Sequence, residues 1–233
     1  MLLSNLSKII LIKKTYNFKK NKYFKEVTSN SKLTNKNTIF IFDKNSKANV
    51  KYLKEAIANN VPAIISNRYF KDFTIPQFIV SDINKEINLL LEKLYKYYPN
   101  KSIAVTGTNG KTSVVWYISK ILNFLDYKNT TVGTLGYYKN GKKISETNLT
   151  TPAYEELFKY GCSNKIRKNN KFIFEASSHA LDQNRLRNYP IDIAAITNIS
   201  RDHLDYHKNH SNYVNSKLKL FTKHLFQNGY AVI

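Results

Sequence analysis

The segment from Ala104 to Ser113 constrains the fold of this chain more than any other. It reads A-V-T-G-T-N-G-K-T-S. The apolar run Ser102 to Thr106 predicts a β-strand before the glycines, and the residues from about Lys111 to Leu125 predict a helix after them. A glycine-containing turn between a strand and a helix lets backbone N–H groups approach phosphate oxygens, and the helix N-terminus adds positive potential. This order indicates an α/β unit with a phosphate site at one sheet edge.

The side chains around these glycines are those that an ATP site needs. Lys111 can reach the β- and γ-phosphates, and the Thr112 hydroxyl can coordinate Mg²⁺. The spacing departs from the general G-x-x-x-x-G-K-[ST] pattern, because Val105 stands at the first glycine position and Gly107 lies only three residues before Gly110. A turn that happens to precede Lys-Thr is the alternative interpretation. The residues predicted to bind ATP are Gly107, Thr108, Asn109, Gly110, Lys111, Thr112 and Ser113.

Two further polar clusters follow β-like runs. The first cluster, E-A-S-S-H, begins with Glu175 near the end of the apolar run that starts at Phe172. A carboxylate at the C-terminal end of a parallel strand can hold Mg²⁺ against a nucleotide. A solvated glutamate and a capping serine would also explain this cluster. The second cluster, Thr197 to His207, crowds Asp, His and Arg into one loop, which favours a charged substrate or a metal because desolvating these groups is costly. His207 and His210 also have a plain surface interpretation.

The remaining pattern predicts an α/β chain of two domains. Pro99-Asn100 separates residues 1–98, a small α/β domain, from residues 99–233, a P-loop-type domain with a mainly parallel sheet. Thr151-Pro152 is typical of a helix start, with a hydroxyl cap before the proline. The predicted strands are 38–42, 63–66, 78–80, 102–106, 172–176, 191–197 and 230–233, and the predicted helices are 50–58, 84–97, 111–125 and 211–224.

Composition narrows the functional classes. With 42% hydrophobic residues the chain can build a core, so disorder is excluded. The formal net charge of +21 raises the possibility of nucleic-acid binding, but only five of the basic residues are arginines and no nucleic-acid motif accompanies the dispersed lysines. We therefore expect solvated lysines rather than a specific nucleic-acid partner. Apolar runs fall short of the roughly 20 residues of a membrane span. No signal peptide is evident, and the single cysteine, Cys162, cannot form an internal disulfide, so we expect a cytoplasmic protein. We also expect a monomer.

Four motifs in order resemble the Mur ligase family. They are G-T-N-G-K-T, T-T-P, E-x-S-S-H-x-L-x-x-x-R and T-N-x-S-R-D-H-L-D-Y-H. The last string favours the branch that adds the third peptide residue, although another branch of the family remains an alternative. Ala180 stands where the family usually has glycine, and Asn30 and Lys32 replace an acid and an arginine of its uridine-binding stretch.

The resemblance implies an ATP-dependent amide ligase of peptidoglycan precursor synthesis. A diamino acid, diaminopimelate or lysine, would be joined to UDP-MurNAc-L-Ala-D-Glu through an acyl phosphate, with Mg²⁺ as cofactor. Carried over by motif position, Lys111 and His203 are catalytic, and Thr112, Glu175 and His203 bind Mg²⁺. The implied substrate-binding residues are Ser31, Thr150, Thr151, Ser177, Gln183 and Arg185.

The resemblance also singles out Lys217 as a third catalytic residue. At this position the family carries a lysine that reacts with CO₂ and becomes an anionic carbamate ligand of Mg²⁺. Lys219 lies two residues away, and only the register counted from Tyr206-His207 to Tyr213 selects Lys217.

Family members also have a C-terminal domain, and the chain resembles about their first half. We therefore expect a truncated central domain and a chain that is inactive alone. A binding module without turnover is the second hypothesis.

Overall fold

The computed structural model describes residues 1–43, 49–162 and 170–233. These residues form two compact units, Met1–Lys96 and Tyr97–Ile233. The division falls two residues before the boundary proposed from Pro99-Asn100.

The first unit is built on a five-stranded sheet of order β1-β5-β4-β3-β2, in which β1 is antiparallel to β5 and the other pairs are parallel. Its helices bury their apolar sides, as Ile87 and Leu90 show, and the Asn49 and Asp82 side chains cap their first turns. The elements are β1 (Ile12–Tyr16), β2 (Glu26–Thr28), β3 (Thr38–Phe42), α1 (Val50–Ala58), β4 (Ile64–Ser66), β5 (Gln77–Val80) and α2 (Ile83–Leu94), with 3₁₀ helices at Leu3–Lys8 and Ser31–Leu33.

The second unit is built on a seven-stranded sheet of order β12-β11-β6-β10-β7-β8-β9. Strands β12 to β7 in that order are parallel, and β8 and β9 extend the sheet as an antiparallel hairpin. The elements are β6 (Lys101–Thr106), α3 (Lys111–Phe124), β7 (Asn129–Gly133), β8 (Gly136–Lys139), β9 (Lys142–Ser145), α4 (Tyr154–Gly161), β10 (Lys171–Glu175), α5 (Ser178–Asp182), β11 (Ile191–Ile196), α6 (Leu204–His207), α7 (His210–Lys219), a π-helix (Leu220–His224) and β12 (Leu225–Val232).

Strand order in this second sheet explains where its functional residues meet. Central strand β6 lies between β10 and β11, and Val105 is in register with Glu175 on one side and Ala195 on the other. Val115 of α3 packs on Val105 and Ile173, so the helix that follows the glycine turn is held against the sheet by apolar contact. The carboxyl ends of β6, β10 and β11 therefore share one edge, and the predicted α/β class with a mainly parallel sheet is confirmed.

Several element boundaries differ from those predicted. Helix α4 begins at Tyr154 rather than at Thr151-Pro152, because the Thr151 hydroxyl bonds the Glu175 carbonyl and does not cap the helix. Helix α2 ends at Leu94 instead of residue 97, the predicted helix 211–224 is an α-helix followed by a π-helix, and the last strand starts at Leu225 rather than at residue 230. No helix within the described ranges is long and apolar enough to cross a membrane.

Candidate active site

The glycine turn after β6 folds as a phosphate loop, a name used below for residues 107–113. Gly107 has φ +143° and Gly110 has φ +83°, conformations that favour glycine. A Cβ on Gly107 would overlap the Thr197 hydroxyl, so this position has no room for a side chain. Helix α3 then begins at Lys111, and no side chain caps its first turn. Its N-terminal N–H groups are therefore able to receive an anion.

The polar cluster from Thr197 to His207 holds this loop in place. Thr108 N–H donates to the Asn198 carbonyl at 3.0 Å, and Asn109 N–H donates to Asn198 Oδ1 at 3.1 Å. The Thr197 hydroxyl donates to the Asn109 carbonyl at 2.6 Å. Two loop amides are thus occupied by the segment after β11, which leaves the head of α3 as the part of the loop directed at a phosphate.

Two lysines converge on the phosphate loop. Lys111 Nζ donates to the carbonyls of Gly107 and Thr108 at 2.9 and 2.8 Å, and burial lowers its pKa. Lys217 Nζ, on α7, donates to the same Gly107 carbonyl at 2.6 Å and is 1% exposed. Burial, and then the neighbouring Lys111 cation, lower the pKa of Lys217 to about 8. The two cations create strong positive potential where a triphosphate would lie.

The Glu175 carboxylate lies at the head of α3. Thr112 Oγ1 donates to Glu175 Oε2 at 2.9 Å, and the Thr134 N–H donates to Oε1 at 2.7 Å. Gly133 is needed beside them, because a Cβ there would overlap the carboxylate. Glu175 is 1% exposed, so it presents its charge from a fixed position. A carboxylate and a hydroxyl are the oxygen donors that Mg²⁺ prefers, so this pair fits the ion.

The other two predicted metal ligands show a poorer fit in this state. His203 takes a left-handed conformation (φ +50°) before α6, and its Nε2 lies 3.6 Å from Asp202 Oδ2. Lys217 as an ammonium carries no free lone pair for a cation. Within the described residues, no group of three or more His, Cys, Asp or Glu side chains is arranged to hold a metal.

A cleft of about 330 Å³ opens in front of these residues. It brings together nine of the predicted site residues, whereas Thr108, Asn109, Gly110, Ser113, Thr151 and Gln183 do not line it. Its lining residues are Gly107, Lys111, Thr112, Thr134, Leu149, Thr150, Glu175, Ser177, Ser178, His179, Arg185, His203, Tyr213 and Lys217.

Thr151 and Gln183 do not line the cleft, but they bond to residues that do. The buried Thr151 hydroxyl donates to the Glu175 carbonyl at 2.7 Å and accepts from Ser177 N–H at 2.9 Å. Arg185 Nη1 donates to the Thr151 carbonyl at 3.0 Å, and its Nε and Nη2 donate to Gln183 Oε1 at 2.9 and 2.6 Å. Burial lowers the pKa of Arg185. The guanidinium is therefore oriented by two neighbours at the cleft wall.

Ser31 belongs to the first unit and starts its second 3₁₀ helix. Its hydroxyl donates to Glu55 Oε2 at 2.7 Å, and the residue is 4% exposed. The cleft in the second unit does not include it.

Five lining residues were not predicted from the sequence: Thr134, Leu149, Ser178, His179 and Tyr213. Thr134 follows β7 and its N–H donates to Glu175, the His179 ring contacts the His203 ring with centroids 4.8 Å apart, and Tyr213 lies beside Lys217. Ser178 and His179 stand in the quoted motif E-A-S-S-H, and Tyr213 lies four residues before Lys217, so these positions carried a sequence signal. No signal marked Thr134 or Leu149.

A parallel sheet with a glycine loop, a lysine and a buried carboxylate at its carboxyl edge gives this unit the architecture of a P-loop-type domain. Residues 105–233 match the family model of the Mur ligase middle domain, and the chain belongs to this family. The resemblance in the four motifs is therefore confirmed.

Individual relatives agree with the family. A UDP-N-acetylmuramoyl-L-alanyl-D-glutamate–2,6-diaminopimelate ligase from Rickettsia bellii is 37% identical over 214 residues, which cover 90% of this chain and 44% of that protein. The ligase of the same name from Oceanobacillus iheyensis is 37% identical over 183 residues, or 77% of this chain and 36% of that protein. The chain thus spans less than half the length of these relatives.

Solved structures show the same fold. A structure of a UDP-N-acetylmuramoyl-L-alanyl-D-glutamate–2,6-diaminopimelate ligase superposes with a TM-score of 0.62 at 28% identity and covers 85% of this chain and 41% of that one. MurF from Acinetobacter baumannii gives a TM-score of 0.63 at 17% identity, covering 98% of this chain and 47% of that one, which supports the fold alone.

Proposed function

We propose that this chain binds Mg²⁺·ATP in its second unit and takes part in joining 2,6-diaminopimelate to UDP-MurNAc-L-Ala-D-Glu. The observation that carries the proposal is the buried Glu175 carboxylate, 2.9 Å from the Thr112 hydroxyl at the head of α3. The names of the relatives support this dipeptide and 2,6-diaminopimelate in place of lysine. Because the proposed substrates are ATP and a UDP-linked sugar, we propose a cytoplasmic location. We also propose that the protein is a monomer.

The chemistry needs positioning and charge neutralisation more than covalent help from the protein. A carboxylate oxygen of D-Glu attacks the γ-phosphorus, the O–P bond to ADP breaks, and an acyl phosphate forms. The diaminopimelate amine then attacks the acyl carbon, the amide forms with loss of a proton, and phosphate leaves. Lys111 balances charge on the transferred phosphoryl group from its place on the loop. Bound Mg²⁺ supplies further neutralisation, held by Thr112 and Glu175.

The UDP-sugar dipeptide is proposed to bind in the same cleft. Arg185 offers a planar guanidinium whose orientation is fixed by Thr151 and Gln183, which suits a carboxylate or phosphate of the substrate. Thr150 and Ser177 also line the cleft. Ser31 of the first unit remains the proposed contact for the UDP end.

Lys217 is proposed to become a carbamate. Its neutral amine adds to CO₂, an N–C bond forms, and a proton is released to solvent. The product replaces a cation by an anionic oxygen donor. This oxygen and a ring nitrogen of His203 would hold a second Mg²⁺. A preparation equilibrated with ¹³C-bicarbonate is expected to show a carbamate ¹³C resonance. The resonance should disappear in Lys217→Arg and persist in the matched control Lys219→Arg. Equal signals in both variants would remove Lys217 from this role.

Turnover tests the proposal as a whole. A version of the chain continued through the family's C-terminal domain is incubated with ATP, Mg²⁺, UDP-MurNAc-L-Ala-D-Glu and diaminopimelate, while ADP, phosphate and the UDP-tripeptide are measured. We expect product only when all four are present, and phosphate release that does not depend on the dipeptide contradicts the proposal. Binding of Mg²⁺·ATP and the dipeptide without product would instead identify a binding module. Polynucleotide binding that weakens steeply with salt would identify a nucleic-acid binder.

A further inference from the structure

Tyr213 is buried at a point where three parts of the second unit meet. It lies on α7, four residues before Lys217, and is 0% exposed. Its hydroxyl is 2.8 Å from Thr108 Oγ1 of the phosphate loop. Its ring centroid is 4.4 Å from Lys217 Nζ.

Thr108 extends this contact to the loop after β11. Its Oγ1 accepts from Ser200 N–H at 2.9 Å, and Thr108 itself is 8% exposed. One pair of hydroxyls therefore joins α7, the phosphate loop and the 197–200 segment. Because the pair is buried, water competes little for these bonds, and losing either hydroxyl leaves a polar partner without its bond.

A purely space-filling aromatic would not need its hydroxyl here. Phenylalanine would fill the same volume, and burying a phenol is favourable only when the O–H finds a partner. The partner in this case is Thr108, one of the phosphate-loop residues. The ring meanwhile faces the one lysine of α7 that reaches the loop, and a cation over a tyrosine face is attracted by the ring quadrupole.

We propose that Tyr213 is a positioning residue of the active site. Its hydroxyl fixes the phosphate loop through Thr108, and its ring holds the Lys217 ammonium against the Gly107 carbonyl before this amine reacts with CO₂. This inference rests on the proposed ATP site, and in it Tyr213 acts through Thr108 and Lys217.

The hydroxyl is tested by nucleotide affinity. Trp116, the single tryptophan, lies on α3 and provides a fluorescence signal for Mg²⁺·ATP titrations. Tyr213→Phe is expected to weaken binding about fivefold, the loss of one ordinary hydrogen bond. Thr108→Val should weaken it at least as much, because Ser200 N–H also loses its acceptor. The double variant should bind no worse than Thr108→Val, since both changes remove the same contact.

A matched control separates this role from general stability. Tyr189 is also a buried tyrosine, at 1% exposed, and its hydroxyl lies 3.8 Å from Cys162 Sγ. Tyr189 does not line the cleft. Tyr189→Phe is expected to bind Mg²⁺·ATP like the wild type. Equal weakening in Tyr189→Phe and Tyr213→Phe would mean that stability alone is measured, and the proposal would fail.

The ring is tested by the reactivity of Lys217. Amine labelling in CO₂-free buffer, in which Lys217 keeps its amine, uses a limiting acylating reagent and peptide mass spectrometry to compare Lys217 with the half-exposed Lys219 in the same molecule. Tyr213→Phe keeps the ring and should leave the ratio of the two labels unchanged, whereas Tyr213→Leu should raise Lys217 labelling at least about threefold. Unchanged labelling in Tyr213→Leu would refute the role of the ring.

The outcomes for nucleotide binding are distinct. A wild-type chain that does not bind Mg²⁺·ATP overturns the proposed function. A wild-type chain that binds, with Tyr213→Phe binding equally well, overturns only the positioning role. If Tyr213→Phe does not fold by circular dichroism, Thr108→Val against Tyr189→Phe decides the matter. Thr108→Val should bind Mg²⁺·ATP at least about fivefold more weakly than Tyr189→Phe, and equal affinities of the two variants would refute the proposal.

Discussion

Glu175→Gln is the substitution that most sharply separates a magnesium ligand from a structural acid. Glutamine keeps the size of the side chain and one acceptor oxygen for the Thr134 N–H, which now donates to Glu175 Oε1 at 2.7 Å. The Thr112 hydroxyl, now a donor to Oε2 at 2.9 Å, can rotate and accept from the new amide. The fold should therefore lose no more than about 1 kcal/mol.

The effect of Glu175→Gln on the affinity for Mg²⁺·ATP should be larger than its effect on stability. Interactions with a charged group contribute about 1.5–3 kcal/mol, and each 1.36 kcal/mol is a factor of ten in affinity. Glu175→Gln is thus expected to weaken Mg²⁺·ATP binding about 10- to 150-fold. In EDTA, the change in ATP affinity caused by Glu175→Gln should reverse its sign, because without Mg²⁺ the buried carboxylate repels the triphosphate. Metal-free ATP should then bind the variant as tightly as wild type or more tightly.

The assay is titration followed by Trp116 fluorescence, with and without Mg²⁺, and urea unfolding of each variant. The matched control is Glu86→Gln in the first unit. Glu86 is also buried, at 3% exposed, and accepts a backbone N–H from Leu11 at 2.8 Å. It should change stability but not nucleotide affinity. Equal Mg²⁺·ATP affinities for wild type and Glu175→Gln, or equal losses with and without Mg²⁺, would refute the reasoning.

Three further predictions concern other parts of the second unit. Gly107→Ala places a Cβ on the Thr197 hydroxyl at φ +143°, so it should cost at least about 1–3 kcal/mol in urea unfolding and abolish ATP binding; wild-type behaviour would contradict the tight approach. Arg185→Lys loses the planar fork, so calorimetry should show at least about tenfold weaker UDP-MurNAc-dipeptide binding with Mg²⁺·ATP affinity unchanged. Burial lowers the pKa of His224 in the folded state, despite its bond to the Arg187 carbonyl. The unfolded chain then binds the proton more readily below about pH 6.5, so wild type should lose stability relative to His224→Gln as pH falls from 7.5 to 5.5. Parallel pH curves would contradict this assignment.

The sheet that carries the cleft was predictable where apolar runs carried the signal. Strands β6 and β10 are buried and mostly apolar, and the glycine turn between β6 and α3 marked their common edge. Strand β7 escaped prediction because Asn129, Thr130 and Thr131 are polar although buried; Asn129 accepts from the Ser119 hydroxyl at 2.7 Å. The following hairpin turns at Asn140-Gly141, and this N-G pair was a usable signal that the sequence interpretation left out.

For the candidate site, the motifs identified most of the cleft lining but not its internal contacts. Parallel strands in adjacent positions bring the ends of β6, β10 and β11 together, which is why three clusters far apart in sequence meet. The contact of Tyr213 with Thr108, and the hold of Thr134 on Glu175, depend on how α7 and β7 approach the loop. No local pattern encodes those approaches, because they result from packing of the whole unit.

The most direct measurement of the central claim is the position of a divalent cation in a crystal of this chain grown with Mn²⁺ and a non-hydrolysable ATP analogue. We expect an anomalous manganese peak at the head of α3, beside the Thr112 hydroxyl and on the Glu175 side of the triphosphate, with the phosphates against the phosphate loop. A manganese peak away from Thr112 and Glu175, or a nucleotide bound elsewhere, would contradict it.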